Sequence, residues 1–132
     1  MRIVGFLCRW CAYAAADTAG LMRKAQEAGF VPQLVPCSGA VDGLSVLRAL
    51  IDGADGVLVA GCHLGSCHYL EGNFRARRRM ALIKTLLDTF GLNPERLKVA
   101  WISAGEGERF ANVLNEFAKK LQKEQKNEGK EV

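Results

Sequence analysis

One stretch of the sequence decides the fold: Gly56-Val57-Leu58-Val59-Ala60, followed directly by Gly61-Cys62-His63-Leu64-Gly65-Ser66-Cys67-His68-Tyr69. An apolar run without polar alternation is typical of a strand that is buried on both faces of a parallel sheet. A helix-compatible segment from about Leu70 to Phe90 follows, and Gly91 and Pro94 end it. The stretch therefore predicts a strand, a cysteine-containing loop and a long helix.

The same order of elements precedes this stretch twice. Short apolar runs predict two strands, and glycine-terminated segments predict two helices. The predicted elements are a strand from Ile3 to Leu7, a helix from Ala12 to Ala28 ending at Gly29, a weaker strand from Gln33 to Pro36, and a helix with Leu44, Leu47, Leu50 and Ile51 before Gly53.

One more strand and one more helix are predicted after the long helix. Lys98 to Ser103 is the strand, and the helix has its apolar face at Phe110, Val113, Leu114, Phe117 and Leu121. Four alternations joined by right-handed crossovers give a parallel sheet with helices on both faces. We predict a single flavodoxin-like three-layer α/β domain with a four-stranded parallel sheet over residues 1–122, and a charged, flexible tail over residues 123–132.

The composition fits one globular domain. The chain has 132 residues, of which 49% are hydrophobic and 24% charged, as in packed rather than disordered proteins. The net charge of +4 comes largely from residues 75–79 and the lysine-rich end, so it says little about partners. No signal-peptide pattern opens the chain, and no apolar run reaches the roughly 18 residues of a spanning helix. These features predict a cytoplasmic protein without membrane association.

Five cysteines are the main candidates for chemistry. They follow the first three predicted strands, so they are expected at the carboxyl edge of the sheet, where helix N-termini point their N–H groups. Disulfides rarely persist in a reducing compartment, and metal binding or redox chemistry is therefore the leading explanation. The five residues are Cys8, Cys11, Cys37, Cys62 and Cys67.

The spacing of these cysteines favours a metal site built from two thiolate pairs. Cys8-x-x-Cys11 lets one loop place two sulfurs on one metal, and the Cys62-x4-Cys67 spacing also occurs in plant-type 2Fe-2S ferredoxins. We rank these four first as ligands, with Cys37 as the replacement for one of them. Three other interpretations compete: buried structural thiols, structural zinc, and a thioredoxin-like dithiol at Cys8 and Cys11.

Two histidines and one arginine lie beside the cysteines in sequence. His63 and His68 either ligate a metal, as histidines do in Rieske centres, donate a hydrogen bond to a sulfur, or cap the next helix. Arg9 lies inside the first cysteine pair. Because enough cysteines are present to hold a metal, His63, His68 and Arg9 are predicted to surround the bound group rather than to ligate it.

Three arginines form a cluster on the helix that follows the second cysteine pair. Arg75, Arg78 and Arg79 have i, i+3 and i+4 spacing and share one side of the helix, whereas Arg77 points away. This arginine cluster is either a solvated face, a docking surface for an acidic partner, or a counterweight to a negatively charged metal cluster. One short cluster without interleaved aromatic residues is weak evidence for nucleic-acid binding, so none is expected.

Taken together, the motifs of the chain resemble a known family, the delta subunit of methyl-viologen-reducing hydrogenase, up to about Leu121. The family pattern often has an acidic residue where this chain has Ser66, a difference that implies a changed reduction potential with ligation retained. The motifs that carry the resemblance are Cys8-x-x-Cys11, Cys37-Ser38-Gly39, Gly61-Cys62-His63-x-Gly65-x-Cys67-His68-Tyr69, Gly72-Asn73 and Ser103-Ala104-x-Glu106-Gly107.

The resemblance implies a 2Fe-2S electron carrier, with the cluster on four of the five cysteines. Electrons would come from a hydrogenase or formate dehydrogenase module. They would pass to the flavin subunit of a heterodisulfide-reductase-like complex, where flavin-based electron bifurcation occurs. Such a protein belongs to an oxidoreductase but catalyses no reaction by itself. The spacings alone support a metal site, and the alternative function is a zinc-stabilised protein-interaction module.

Overall fold

Strands and helices alternate along the described part of the chain. The computed structural model describes residues 2–8, 12–17, 29–35, 41–61, 72–102 and 105–130, with the backbone alone for residues 16–17, 72–74 and 125–130. The elements are β1 (Ile3–Cys8), α1 (Ala12–Asp17), β2 (Phe30–Val35), α2 (Gly43–Ile51), β3 (Gly56–Gly61), α3 (Gly72–Thr89), a 3-10 turn (Pro94–Arg96), β4 (Leu97–Trp101) and α4 (Gly107–Lys130).

The four strands form one parallel sheet in the order β2-β1-β3-β4. The pairing register aligns Cys8 of β1 with Val35 of β2, and Leu7 of β1 with Ala60 of β3. Further along, Gly61 of β3 aligns with Trp101 of β4. All four strands therefore run in the same direction and end at the same edge, as the alternation of strands and helices predicts.

Alternate residues of β3 point into two separate hydrophobic clusters. Leu58 and Ala60 belong to the cluster that contains the buried side chains of α1 and α4. Val57 and Val59 belong to the cluster that contains those of α2 and α3. Because successive side chains of a strand point to opposite faces, the apolar run in β3 covers both faces of the sheet. The result is a flavodoxin-like three-layer α/β domain, and the predicted fold class is confirmed.

Glycines end α2 and α3 where the sequence predicts. Gly53 has a φ of 108° and Gly91 a φ of 79°, both in the left-handed region that glycine adopts without steric cost. The next residue in each case donates a hydrogen bond back into the last turn, from Ala54 N to the Ala49 carbonyl at 3.1 Å and from Leu92 N to the Leu87 carbonyl at 2.8 Å. Both helices thus close with a Schellman-type arrangement.

The predicted second strand is misplaced by three residues at its start. The prediction begins it at Gln33, but β2 begins at Phe30 and ends at Val35. Pro32 therefore lies inside the strand, which is tolerated because β2 is at the edge of the sheet and pairs on one side only. Phe30 holds the start of β2 in place through an edge-to-face contact with Phe110 of α4, at 6.0 Å between ring centroids.

Two predicted helices differ from the observed ones in what they bury or how far they extend. α2 forms where expected but buries Val46 and Leu50, whereas Leu44 and Ile51 are exposed. α4 buries Phe110, Phe117 and Leu121 as predicted and continues to Lys130, past the predicted boundary at residue 122.

Other predicted boundaries fall partly outside the described residues. The first helix is described as Ala12–Asp17, and the part predicted from residue 18 to Ala28 lies outside the described residues. β4 begins one residue before the predicted start, because Leu97 is buried in the sheet. The flexibility of residues 123–132 stays a prediction. None of the helices in the described segments is long and apolar enough to cross a bilayer.

Gly56, the first residue of β3, is where α4 comes closest to the sheet. A Cβ at this position would lie 2.5 Å from Leu121 Cδ1 and 2.8 Å from Phe117 Cζ. Both side chains are buried, so neither can move aside without opening the cluster between the sheet and α4. A glycine is therefore required here by packing.

We expect Gly56→Ala to lower the free energy of unfolding by about 1–3 kcal/mol, the usual cost of overpacking a core. Chemical denaturation followed by circular dichroism would measure the change. Gly105→Ala is the matched control, because a Cβ there meets no atom of the described residues within 4 Å. If the free energies of unfolding of the two variants fall by the same amount, the close approach of α4 is not the reason that position 56 requires a glycine.

Asp42 caps the N-terminus of α2. Its Oδ1 accepts a hydrogen bond from the backbone N–H of Ser45 at 2.7 Å, as N-cap residues do. This bond, with smaller contributions from the Ser45 hydroxyl, the Leu44 N–H and the charge of Arg79, holds the pKa of Asp42 below its ordinary value of 3.8. The ionised carboxylate therefore stabilises the folded state.

We expect Asp42→Ala to lower the thermal unfolding midpoint at pH 7. Since the folded-state pKa lies below the unfolded-state value, the contribution of Asp42 is complete above the unfolded pKa and is lost as the pH falls through the folded pKa. The midpoint difference between wild type and Asp42→Ala should therefore narrow as the pH falls below about 4. Asp42→Asn, which keeps an oxygen acceptor at every pH, should keep its advantage over Asp42→Ala on acidification. A constant difference between wild type and Asp42→Ala would contradict the assignment.

Candidate metal centre

The gap between β1 and β3 at the carboxyl edge of the sheet is the place where a ligand is expected. The chain passes from β1 to β2 on one side and later to β3 on the other, so the strand order reverses between β1 and β3. In open α/β sheets, ligands bind at such a switch point, outside the carboxyl ends of the strands. Here β1 ends at Cys8 and β3 ends at Gly61, the residue before Cys62 in the chain.

The outer strands end at the same level as these two. Val35, the last residue of β2, is aligned with Cys8 and precedes Cys37 by two positions. On the other side, the backbone N–H of Ile102 donates to the Gly61 carbonyl at 2.7 Å, which ties the end of β4 to the end of β3. Since neighbouring strands lie about 4.8 Å apart, the cysteine-bearing segments leave the sheet from closely spaced points.

Cys8 is the predicted site residue that the structure describes, and it is buried. Its exposed fraction is 1%, and it belongs to the hydrophobic cluster that also contains Ala12 and Ala15 of α1, Ile102, and Phe110 of α4. These apolar neighbours exclude water from the end of β1. A metal ligand at this position would therefore have a dry, low-dielectric surrounding on its protein side.

The other predicted site residues lie outside the described residues. In the part of the chain that the structure describes, no group of three or more His, Cys, Asp or Glu side chains is placed to hold a metal ion. Four of the five cysteines predicted as ligands lie outside the described residues, so it stays a prediction that the cysteines meet at one metal site. The predicted residues outside the description are Arg9, Cys11, Cys37, Cys62, His63, Cys67 and His68.

Four of the described helices begin on the side of the sheet where the strands end. α1 starts at Ala12, α2 at Gly43, α3 at Gly72 and α4 at Gly107, each after a strand has ended at the carboxyl edge. The unpaired N–H groups and the positive dipole end of a helix favour a negatively charged group nearby. The fold thus gives this edge a backbone electrostatic field of the sign that a thiolate-ligated metal cluster needs.

The arginine cluster is divided by the structure. The guanidinium of Arg79 donates from Nη1 to the backbone carbonyl of Val41 at 2.7 Å and is partly buried, so it links α3 to the segment before α2. Arg75 and Arg78 are exposed on the first turns of α3. The sequence spacing groups the three arginines correctly on one helix side, but only the long-range contact to Val41 gives Arg79 its structural role.

Comparison with known proteins identifies relatives of two lengths. One relative is the iron-sulfur subunit of an F420-non-reducing hydrogenase of Archaeoglobus profundus, 48% identical over 92% of this chain and 88% of its own length. Another, the iron-sulfur subunit of the F420-non-reducing hydrogenase vhu of Methanocaldococcus jannaschii, is 36% identical over 92% of this chain and 90% of its own length.

The second kind of relative is much longer. It is a subunit of the ferredoxin/F420H2-dependent CoB-CoM heterodisulfide reductase of Methanosarcina acetivorans, and it is 50% identical over 91% of this chain. The chain spans about 15% of the length of that protein, which we call the long reductase subunit. The same domain therefore occurs both as a separate protein and as part of a larger polypeptide.

The match to a family covers almost the whole domain. Residues 3–123 match the family described as methyl-viologen-reducing hydrogenase, delta subunit, from the start of β1 into α4. The matched region includes every strand of the sheet and all five cysteines. The chain belongs to the methyl-viologen-reducing hydrogenase delta subunit family.

Proposed function

We propose that this protein is the 2Fe-2S electron-transfer subunit of an oxidoreductase complex. It would relay electrons between a hydrogenase or formate dehydrogenase module and the flavin subunit of a heterodisulfide-reductase-like, electron-bifurcating complex. Four of the five cysteines would hold the cluster, with Cys8, Cys11, Cys62 and Cys67 ranked first and Cys37 as the replacement for one of them. The chain itself carries no catalytic residue in this proposal.

One observation carries the proposal: the switch point of the sheet coincides with the chain positions that bear thiols. Cys8 ends β1, and Gly61 ends the neighbouring strand immediately before Cys62. Open α/β sheets generally bind ligands in such a gap, and the two cysteine pairs of the sequence supply four thiols there in this proposal. Cys37 follows the third strand end at the same level.

The surroundings of Cys8 suit a redox centre. A bound 2Fe-2S cluster supplies one-electron transfer, and its potential depends on hydrogen bonds to sulfur and on solvent exposure. The chain contributes the dry side of the site through Ala12, Ala15, Ile102 and Phe110, all of which are at most 1% exposed. The N-termini of α2, α3 and α4 contribute positive dipole ends that compensate the negative charge of the thiolates.

The names of the relatives support the partners proposed here. The shorter relatives are called iron-sulfur subunits of a hydrogenase, and the longer one is called a subunit of a heterodisulfide reductase. A domain that is covalently joined to the remainder of the long reductase subunit in one organism is expected to work beside a homologue of that remainder in another, whether or not the two are joined there. This reasoning favours a homologue of the long reductase subunit as one of the two electron-transfer partners.

We expect the anaerobically purified protein to contain about two irons and two acid-labile sulfides per chain. Reduction with dithionite should bleach a visible absorption band and produce an electron paramagnetic resonance signal of a reduced 2Fe-2S centre. Serine at Cys8, Cys11, Cys62 or Cys67 should abolish the signal or change it strongly, because each substitution removes a thiolate ligand. Cys37→Ser, the matched control, should keep it.

Circular dichroism should accompany the cysteine variants, since Cys8 is buried and its replacement also perturbs the core. Colourless protein with stoichiometric zinc and no labile sulfide would contradict the proposal and favour the zinc-stabilised interaction module. Retention of the full signal in all five single variants would contradict the assignment of cysteine ligands.

We expect the reduced protein to transfer electrons to the flavin subunit of the heterodisulfide-reductase-like complex from the same organism. Anaerobic mixing in a stopped-flow instrument would record reoxidation of the cluster together with reduction of the flavin. The Cys11→Ser variant, treated with the same reductant and freed from it, provides the control and should leave the flavin oxidised. A flavin that stays oxidised with the wild-type protein would contradict the proposed direction of electron flow.

A further inference from the structure

Five large apolar side chains are exposed on two neighbouring helices. On α2, Leu44 is 71% exposed and Ile51 is 82% exposed. On α3, Leu82 is 60%, Leu86 is 36% and Phe90, just after the helix, is 77% exposed. Single exposed apolar residues are ordinary, but apolar residues grouped on one surface mark interaction sites.

These residues border the line along which α2 and α3 touch. Gly43 faces α3, since a Cβ there would lie 2.3 Å from Ile83 Cδ1, and Arg79 of α3 donates to the Val41 carbonyl. On α2, Leu47 lies one helical turn beyond Gly43 and Ile51 one turn beyond Leu47, so both continue the side that faces α3.

Helical spacing also shows which residues of α3 lie beside its contact with α2. Arg79 and Ile83 point to α2, and Leu82 and Leu86 lie three positions after each of them, on the adjoining outward side of the helix. Phe90 lies four positions after Leu86 and extends the same side. We name as the α2–α3 surface the set Leu44, Leu47, Ile51, Leu82, Leu86 and Phe90.

Charged side chains of both signs border the α2–α3 surface, and at the end near the carboxyl edge of the sheet three arginines, Arg75, Arg78 and Arg79, outnumber Asp42. Arg48 of α2 and Arg75 and Arg78 of α3 are exposed along its outer border. Asp52 and Asp88 occupy the C-terminal ends of the two helices, away from Arg75 and Arg78. The surface is therefore basic at the end near the carboxyl edge of the sheet and apolar along the rest of its length.

We propose that the α2–α3 surface binds an amphipathic, acidic helix of a partner protein in the complex. Two helices packed side by side leave a groove that fits the apolar side of a third helix. Acidic residues at one end of that helix would face Arg75 and Arg78. A second copy of this chain is a separate outcome of the test below.

The position of the surface links it to the proposed electron-transfer site. α3 begins at the carboxyl edge, and Arg75 and Arg78 lie in its first two turns. A helix bound along the α2–α3 surface therefore reaches that edge at its acidic end, where the cysteine-bearing segments leave the sheet. This inference rests on the proposed function in requiring a multisubunit complex, but it does not depend on the type of cluster.

The test compares two double variants of the tagged full chain. Ile51→Glu with Leu82→Glu places one carboxylate on each side of the groove. Asn115→Glu with Gln122→Glu is the matched control, because it adds the same charge at exposed positions of α4, on the opposite face of the sheet. Each would be co-expressed with the homologue of the long reductase subunit and the hydrogenase subunits of the same organism, and the amount of each protein in the purified complexes would be measured.

We expect the amount of one of these partner proteins that co-purifies with the Ile51→Glu/Leu82→Glu variant to be at least about tenfold lower than with wild type. The control should recover all of them at the wild-type ratio. Both variants should keep the wild-type unfolding midpoint, since the replaced side chains are exposed. A photo-crosslinking residue at position 90 should give a peptide from an amphipathic, acidic helix of that partner.

Three results would overturn the proposal. The first is wild-type recovery of every partner protein with the Ile51→Glu/Leu82→Glu variant. The second is self-association of the wild-type chain in sedimentation experiments that this variant abolishes, which would make a second copy the occupant. The third is binding of the wild-type chain to vesicles of phosphatidylglycerol and phosphatidylcholine that the variant loses while the complex stays intact.

The iron content of the same samples separates this proposal from the proposed function. If the purified protein contains no iron but the Ile51→Glu/Leu82→Glu variant still loses a partner, the docking proposal stands and the proposed 2Fe-2S function is contradicted. If the protein contains iron and the variant keeps every partner, the docking proposal is contradicted and the proposed 2Fe-2S function stands.

Discussion

The parallel pairing of β1 with β2 on one side and β3 on the other is the constraint on which the rest of the structure depends. β1 pairs with β2 from Ile3↔Phe30 to Cys8↔Val35, and with β3 from Ile3↔Gly56 to Leu7↔Ala60. The ladder of backbone hydrogen bonds sets the strand ends level, so Cys8 and the segments that carry the other cysteines leave the sheet from one place. A shift of one residue in either pairing would also turn every side chain of that strand to the wrong face. The core and the candidate site are therefore fixed by the same register.

Features that depend on local sequence were predicted well. The apolar run Val57-Leu58-Val59 indicated β3, the spacing of Phe110, Phe117 and Leu121 indicated the buried side of α4, and glycines indicated the ends of α2 and α3. Features that depend on distant contacts were missed. The start of β2 needs the contact between Phe30 and Phe110, and the role of Arg79 needs the carbonyl of Val41.

The same distinction applies to the side of α2 that is buried and to the candidate site. The spacing of Leu44, Leu47, Leu50 and Ile51 predicts the helix, but the structure buries Leu50 together with Val46 and leaves Leu44 and Ile51 exposed. For the site, the sequence placed the cysteines after strands, and the structure places Cys8 at the end of β1 beside the end of β3. The thiol positions follow from strand order, which alternating patterns can predict, whereas ligation depends on loop conformation, which they cannot.

The edge position of β2, with Pro32 inside the strand, has a consequence for how this domain associates with other chains. A proline on an edge strand discourages the addition of another strand, because it offers no N–H to a newcomer. The β2 edge is therefore protected against the repeated addition of strands from other copies of the chain. Contacts on the β2 side of the sheet are therefore left to side chains, whereas β4 forms the opposite edge.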